Sequence, residues 1–186
     1  MGLGLDLRPD LQHRELHGPI DGQLSPGYQP PIETPEPVVL TLVERAEVEL
    51  GLGDPELAVE LYRKHLEDAP GDMASVRALG VALLKADRYE DAAATVRLAY
   101  ATDPTLARDA LGSWVGGDSA LGMRKLRSDA ARHANRVDTA SAWLLVVVLM
   151  QGEGMKDQAI RLLDRAEERG LETDVVSALR AELTAR

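Results

Sequence analysis

The sequence predicts an all-α fold made of short helices paired into hairpins. Apolar residues recur at helical spacing from about residue 38 onward, and Gly, Pro and Asp-Pro pairs separate the runs. An equivalent alanine and an equivalent proline recur after 34 residues, from Ala58 to Ala92 (92 − 58) and from Pro70 to Pro104 (104 − 70). A period of that length indicates hairpins stacked on one another, each burying its apolar face on the next.

The composition suits helices that touch through small aliphatic side chains. Hydrophobic residues make up 45% of the 186, aromatic residues only 3%, and Phe is absent, so we expect a core of Leu, Val and Ala. Cysteine is also absent, which excludes disulfides and thiolate metal sites. A net charge of −10 repels phosphate backbones, and we therefore expect no nucleic-acid binding.

The sequence predicts neither a membrane span nor a secretory signal. The longest apolar run, residues 142–150, is far shorter than the roughly 20 residues that cross a bilayer. The N-terminus lacks a charged region followed by an apolar stretch, so we expect a cytoplasmic protein. Most basic residues are Arg rather than Lys, which is typical of a GC-rich bacterial coding sequence.

Residues 1–35 form a leader rich in Gly and Pro that shows no helical period. The stretch 25–31 reads as turn and polyproline II, so we expect the leader to be extended and flexible. It could act as a tether or as a ligand for a groove, or it could be a solvated tail. His13 and His17 could share a metal on a helix, but no third ligand is near, and we predict no metal site.

The first predicted unit covers residues 39–72. Its first helix is expected to begin near Thr34, which can cap it, with Pro35 and Pro37 in the first turn, and the run 38–50 carries apolar residues at helical spacing. Asp54 followed by a proline can start the second helix, whose inner side is apolar. The inner residues of that second helix are Leu57, Ala58, Leu61, Tyr62 and Leu66.

The second predicted unit covers residues 73–106 and is the most regular. Asp72 can cap its first helix, and residues 87–90 have the spacing of a capping box for its second. Gly80 and Ala92 are small residues at positions where two helix backbones are expected to approach closely. Larger side chains at these positions would force the two helices apart.

The third predicted unit, residues 107–139, is degenerate. Gly112, Gly116 and Gly117 interrupt it, so we expect a short helix over 105–114, a loop, and a helix over 119–135 capped by residue 118 or 119. The pattern returns in a fourth unit, 140–173. Because Ala92 and Ala159 are 67 residues apart (159 − 92), one less than two periods, we interpret the third unit as a shortened hairpin rather than an insertion. A final amphipathic helix, 174–186, would cap the stack.

Over residues 38–185 the chain resembles the tetratricopeptide-repeat family. The resemblance rests on Val76-x-x-Leu79-Gly80-x-x-Leu83, followed by Ala92-x-x-x-Val96 and Pro104. It implies a right-handed superhelix of three to four units plus the capping helix. The concave face, formed by the first helix of each unit, would bind an extended peptide or a partner helix.

Carried over by register, the implied groove has an apolar floor and an acidic end, which favours a hydrophobic or basic partner segment. Its residues would be Val43, Glu44, Glu47, Arg77, Ala78, Val81, Lys85, Leu144, Leu145 and Val148. Some family members bind a terminal carboxylate through Lys, Arg and Asn. Here only Arg77 and Lys85 are basic at these positions and Asn is missing, which disfavours that clamp.

Two helices stand out. The run Trp143–Met150 is apolar on every side, so it is either an open groove floor or a helix covered by its neighbours. The helix over 119–137 carries five basic residues, and Asp129 is its one acidic residue. It could dock an acidic partner or be an ordinary solvated face. Its basic residues are Arg124, Lys125, Arg127, Arg132 and Arg136.

No catalytic motif is present. The sequence has no Gly-x-Ser-x-Gly, no complete phosphate-binding loop and no His-Glu-x-x-His. We therefore predict a non-enzymatic protein-interaction module, without cofactor, that binds a peptide or helix of a partner protein. The alternative is a structural component that self-associates through Trp143–Met150, and the sequence leaves the oligomeric state open.

Overall fold

The computed structural model describes residues 39–109, 111, 115 and 120–185. Within these residues every regular element is helical, which confirms the all-α prediction. The α-helices are α1 (Leu42–Leu52), α2 (Pro55–Asp68), α3 (Met73–Lys85), α4 (Tyr89–Thr102), α5 (Ala120–Val137), α6 (Ala140–Gly152), α7 (Lys156–Glu168) and α8 (Thr173–Thr184). One 3-10 helix, Pro104–Arg108, follows α4.

Three pairs of consecutive helices pack as hairpins: α1 with α2, α3 with α4, and α6 with α7. Each hairpin contacts the next through the second helix of one and the first helix of the other, so that α2 packs on α3 and α4 packs on α6. Helix α8 packs on α7 at the C-terminal end.

The helix boundaries follow the predicted punctuation at several points. Asp54 and Asp72 cap α2 and α3, and their carboxylates accept hydrogen bonds from the backbone N–H groups of Leu57 (3.1 Å) and Ser75 (3.2 Å). Gly170 adopts a left-handed φ of 92°, which ends α7, and the following Leu171 is buried.

Two predicted helix starts were wrong. Helix α1 begins at Leu42 rather than near Thr34, because Thr41 and Glu44 form a reciprocal capping box there. The stretch 87–90 forms no capping box. Asp87 instead takes a left-handed φ of 58° and accepts a hydrogen bond from the Tyr89 hydroxyl (3.0 Å).

The core consists mainly of Leu, Val and Ala, as the composition predicts. Three aromatic side chains also lie within it: Tyr62, Tyr100 and Trp143 are at most 3% exposed. The hairpins close tightly because small residues meet, and Ala58, Ala92 and Ala159 are fully buried.

The structure differs most from the prediction in the third unit. Helix α6 packs directly on α4, so no complete hairpin lies between them. The described parts of the intervening segment, residues 104–109 and 120–137, instead pack along the other helices: the 3-10 helix packs on α8 and α4, and α5 packs on α6. Of the helix expected over 105–114, the described residues form the 3-10 helix Pro104–Arg108, while Asp109 and Leu111 are not helical; the expected basic helix is present as α5.

Several predictions lie outside the described residues. They concern the leader 1–35 with His13 and His17, the cap at Thr34, the glycines of the loop after residue 111, and the cap at residue 118 or 119.

Gly80 should tolerate no side chain. A Cβ there would lie 2.6 Å from Val96 Cγ2 and 3.3 Å from the Val96 backbone nitrogen, and Val96 is fully buried. We expect Gly80→Ala to lower the free energy of unfolding by about 1–3 kcal/mol, since overpacking outweighs the gain in helix propensity. Urea unfolding measures this. Gly51→Ala in α1, where a Cβ would meet nothing within 4 Å, should be neutral or stabilising. Equal effects at both glycines would contradict the close approach.

Asp72 should make stability depend on acid pH. Burial opposes its ionisation, but hydrogen bonds from Ser75 and His65 outweigh burial and lower the pKa of the carboxyl below its ordinary 3.8. A lowered pKa in the folded state stabilises the protein above the ordinary value, and that stability is lost as the pH falls through the folded pKa. Compared with Asp72→Asn, the wild type should be more stable at neutral pH, and the difference should shrink as the pH falls below about 3.8.

Urea titrations between pH 2.5 and 7 would follow this difference, with Asp68→Asn as a control at an exposed position of α2. A difference between wild type and Asp72→Asn that stays constant with pH would show that the Asp72 charge contributes nothing to stability.

Candidate protein-binding surface

Arg77 lies at the centre of the face predicted to bind a partner, and it binds the protein's own backbone. Its Nη1 donates to the carbonyl of Leu106 at 2.7 Å and to that of Asp109 at 3.0 Å. The side chain is only 9% exposed. The first helix of the second hairpin thus holds the end of the 3-10 helix, through Leu106, and the extended residue Asp109 that follows it.

Two further groups converge on this stretch. Gln151, at the end of α6, donates from Nε2 to the same Asp109 carbonyl at 2.9 Å. Leu111 packs against Gly152, where an added Cβ would lie 2.6 Å from Leu111 Cδ1. The backbone around Asp109 is therefore fixed between first helices of two hairpins, α3 and α6, which are the helices that the resemblance assigns to the groove.

A buried tyrosine lies beside this guanidinium. Burial raises the pKa of the Tyr100 hydroxyl, although the nearby positive charge of Arg77 favours the phenolate. Tyr100 is only 1% exposed, so its hydroxyl stays neutral and does not compensate the charge of Arg77. Backbone carbonyls supply the acceptors for that charge, as a buried guanidinium requires.

Most of the groove predicted by register is covered by the chain itself. Six of its ten residues are buried by the chain itself and cannot contact a partner in this conformation: Arg77, Ala78, Val81, Leu144, Leu145 and Val148. The physical reason is the intervening segment, which packs on α3 and α6 through Arg77 and through α5.

The other four predicted groove residues remain at least partly exposed. Val43 and Glu47 are half-buried on α1, Glu44 is exposed, and Lys85 is half-buried at the end of α3. Glu44 also belongs to the capping box of α1, where its carboxylate accepts from the Thr41 backbone N–H at 2.7 Å. That hydrogen bond is the main cause of its lowered pKa. Lys85 Nζ donates to the Leu50 carbonyl at 3.0 Å and so joins the first two hairpins.

The apolar helix α6 is covered on its sides by α4, α5 and α7. Every residue of the stretch 142–149 is buried, and only Met150 at its end is partly exposed. Trp143 is fixed at its polar end: its Nε1 donates to Asp138 at 2.8 Å, and the Arg165 guanidinium lies 3.7 Å from its ring centre. The sequence left open whether this helix is an open groove floor or is covered by its neighbours, and in the structure it is covered.

The basic residues of α5 divide into two groups. Arg127 points inward and pairs with Glu153 in the turn between α6 and α7, so it belongs to the packing of the helix. The other four, Arg124, Lys125, Arg132 and Arg136, are exposed. On the opposite side Ala130, His133 and Ala134 are buried.

A cavity of about 230 Å³ lies between the end of α3 and α5. Its lining includes Lys85, Tyr89, Val115 and Leu126. Its charged groups are already engaged: Lys125 donates to Asp129 at 2.7 Å, and Asp87 accepts from Tyr89.

Neither a metal centre nor a membrane span emerges from the described part of the chain. Its His, Asp and Glu residues form no group of three or more that could hold a metal ion. None of its helices is long and apolar enough to cross a bilayer. His65 and His133, which occupy corresponding places in the predicted units, make separate contacts, with Asp72 (2.9 Å) and with the ring of Tyr89 (4.8 Å).

Comparisons with protein-family models, with curated proteins and with solved structures find no match to this chain.

Arg77 should be the anchor of the intervening segment. Arg77→Met would remove one donor from each carbonyl, since the Asp109 N–H still donates to Leu106 (3.2 Å) and Gln151 still donates to Asp109 (2.9 Å). We expect a loss of about 1–3 kcal/mol in the free energy of unfolding. Hydrogen exchange followed by mass spectrometry should show faster exchange in residues 104–109 before any change in α1 and α2. Arg77→Lys, which keeps one donor and the charge, should lie between. Unchanged exchange in residues 104–109 would mean that Arg77 does not hold this stretch.

Proposed function

We propose that this protein is a non-enzymatic protein-interaction module of the tetratricopeptide type, in which the first helices of stacked hairpins form the binding face. One observation carries the proposal: Arg77, on that face, donates to two main-chain carbonyls, that of Leu106 in the 3-10 helix and that of the extended residue Asp109. Hydrogen bonds to main-chain carbonyls are independent of side-chain identity and suit a surface that holds extended polypeptide. Here the bound stretch belongs to the chain itself.

The part of this face available to a partner is its N-terminal end. Val43 and Glu47 lie one helical turn apart on α1, so they share one side of the helix. With Glu44 beside them, this end combines an apolar side chain with two carboxylates. A partner segment with basic and hydrophobic residues is complementary to it.

The surrounding hairpin reinforces that charge preference. Residues 42–68 contain eight acidic and three basic side chains, a net charge of −5 (3 − 8). Because the Debye length is about 8 Å at physiological ionic strength, a partner segment near α1 experiences mainly this local charge. A basic segment is therefore attracted to this end of the face.

The second candidate function is self-association, now assigned to a different surface. The run first considered for it, Trp143–Met150, is buried except at its last residue. On α1, however, Val48 is 46% exposed and Leu52 76%, one helical turn apart. If a second copy of the chain covered these residues, the average molecular mass measured in solution would rise with protein concentration.

The proposal is tested with the full chain in three steps. Light scattering over a range of concentrations first decides between a monomer and a self-associating protein. A partner isolated with the chain is then purified and its binding measured by calorimetry. Val43→Ser with Glu47→Lys should weaken a one-to-one complex about tenfold. Val137→Ser with Glu56→Lys, which changes the same residue types at exposed positions outside α1, should leave the affinity unchanged.

Thermal unfolding of both double variants ensures that an affinity change reflects the surface and not the fold. A stable one-to-one complex that both double variants bind equally would overturn the proposed location. A chain that forms no direct complex with any purified partner, or only copies of itself, would overturn the proposed function.

A further inference from the structure

We propose that the exposed side of α5 is a second docking surface, which binds an acidic segment of a partner protein. The proposal rests on the protein-binding function proposed above and adds a surface of opposite charge. We call this surface the basic arc. It consists of Arg124, Lys125, Ser128, Arg132, Asn135 and Arg136.

The basic arc is continuous. At 100° of rotation per residue, its six positions fall within about 120° of the helix circumference. All six residues are exposed. The side chains of Lys125 and Arg132 are 79% and 75% exposed. Arg124 and Arg136 are twelve positions apart (136 − 124), about 18 Å along the helix.

One carboxylate of α5 borders the arc. Asp129 is 15% exposed and is shared by two cations, Lys125 at 2.7 Å and Arg132 at 3.0 Å. Four cations against one carboxylate leave a local charge of +3 (4 − 1).

Other charged groups near α5 do not neutralise the arc. Glu153 pairs with Arg127, on the inner side of the helix. Glu90 is 3.9 Å from the buried His133, and its own side chain is 79% exposed. Asp87 lies near enough to favour the charged form of Lys125, but Asp129 has the larger effect on the raised pKa of that lysine.

The opposite side of α5 holds the arc in place. Ala130 and Ala134 are buried against the core, and the ring of His133 stacks on Tyr89 with 4.8 Å between ring centres. The Arg136 guanidinium donates to His133 Nδ1 at 3.0 Å, so its position is fixed as well. A helix anchored in this way presents its cations without further ordering of the backbone, which reduces the entropic cost of binding.

An acidic protein segment fits this surface better than a nucleic acid or an anionic membrane. The chain as a whole carries −10, so a long polyanion that covers the arc also comes within a Debye length, about 8 Å, of acidic neighbours. A short acidic segment can contact the arc alone. Three of the four cations are arginines, whose planar guanidinium groups pair with carboxylates through two hydrogen bonds.

The test uses the full chain and a fluorescein-labelled peptide of eight glutamates. Fluorescence polarisation should show saturable binding that weakens as the salt concentration rises. Arg124→Glu, Arg132→Glu and Arg136→Glu together should weaken it about tenfold or more. The matched control changes Arg45, Arg63 and Lys64 to Glu, three exposed positions of the first hairpin with the same change in net charge. It should have a clearly smaller effect.

Circular dichroism verifies that both triple variants fold. If the glutamate variant does not, Arg124→Gln with Arg132→Gln tests the same surface, and replacement of the three arginines by Lys should retain binding. The absence of saturable binding would overturn the proposal, as would equal losses in both triple variants. The proposal would also be overturned if the arc bound a 16-base-pair DNA duplex or phosphatidylserine vesicles more tightly than it binds the glutamate peptide. A complex formed only between copies of this chain would overturn it as well.

The partner used in the calorimetry separates this proposal from the preceding one. If that partner depends on Val43 and Glu47 but glutamate peptides do not bind, only the basic arc is wrong. If glutamate peptides bind the arc but no protein partner forms a direct complex, the surface is real and the proposed function is wrong.

Discussion

The arrangement of this protein depends on one buried cation. Arg77 can remain in the core only because the carbonyls of Leu106 and Asp109 accept its hydrogen bonds. Those carbonyls are fixed in turn by the 3-10 helix, which packs on α8, and by Gln151 of α6. The side chain thus couples the second hairpin, the C-terminal helix and the third hairpin, which are far apart in sequence.

The same contact explains why the molecule presents two surfaces of opposite sign. Because the intervening segment covers the centre of the first-helix face, the acidic end at α1 remains as its accessible part. The covering helix α5 brings its own outer side with it, and that side is basic. The regular repeat therefore supplies the framework, and the irregular segment supplies much of the surface character.

Helix type, spacing and most caps could be predicted because they depend on neighbours within one turn: Asp54, Asp72 and Gly170 act locally. The failure at residues 87–90 is also local, since Asp87 took a left-handed conformation that a capping-box pattern does not encode. The path of residues 104–137 could not be predicted from a count of 34. A period gives the number of residues between equivalent positions and carries no information about which face an intervening segment covers. The burial of Arg77 follows from that path, so a basic residue predicted to face a groove proved to be interior.

The helix α6 has a consequence for solubility. Its stretch 142–149 has no polar side, and it stays out of water only while α4, α5 and α7 surround it. The buried side of α5 contributes Ala130, His133 and Ala134. A destabilised α5 would uncover a continuous run of Leu and Val, the kind of segment that associates with copies of itself. Aggregation is therefore the expected failure of this chain when α5 detaches, ahead of the loss of its helices.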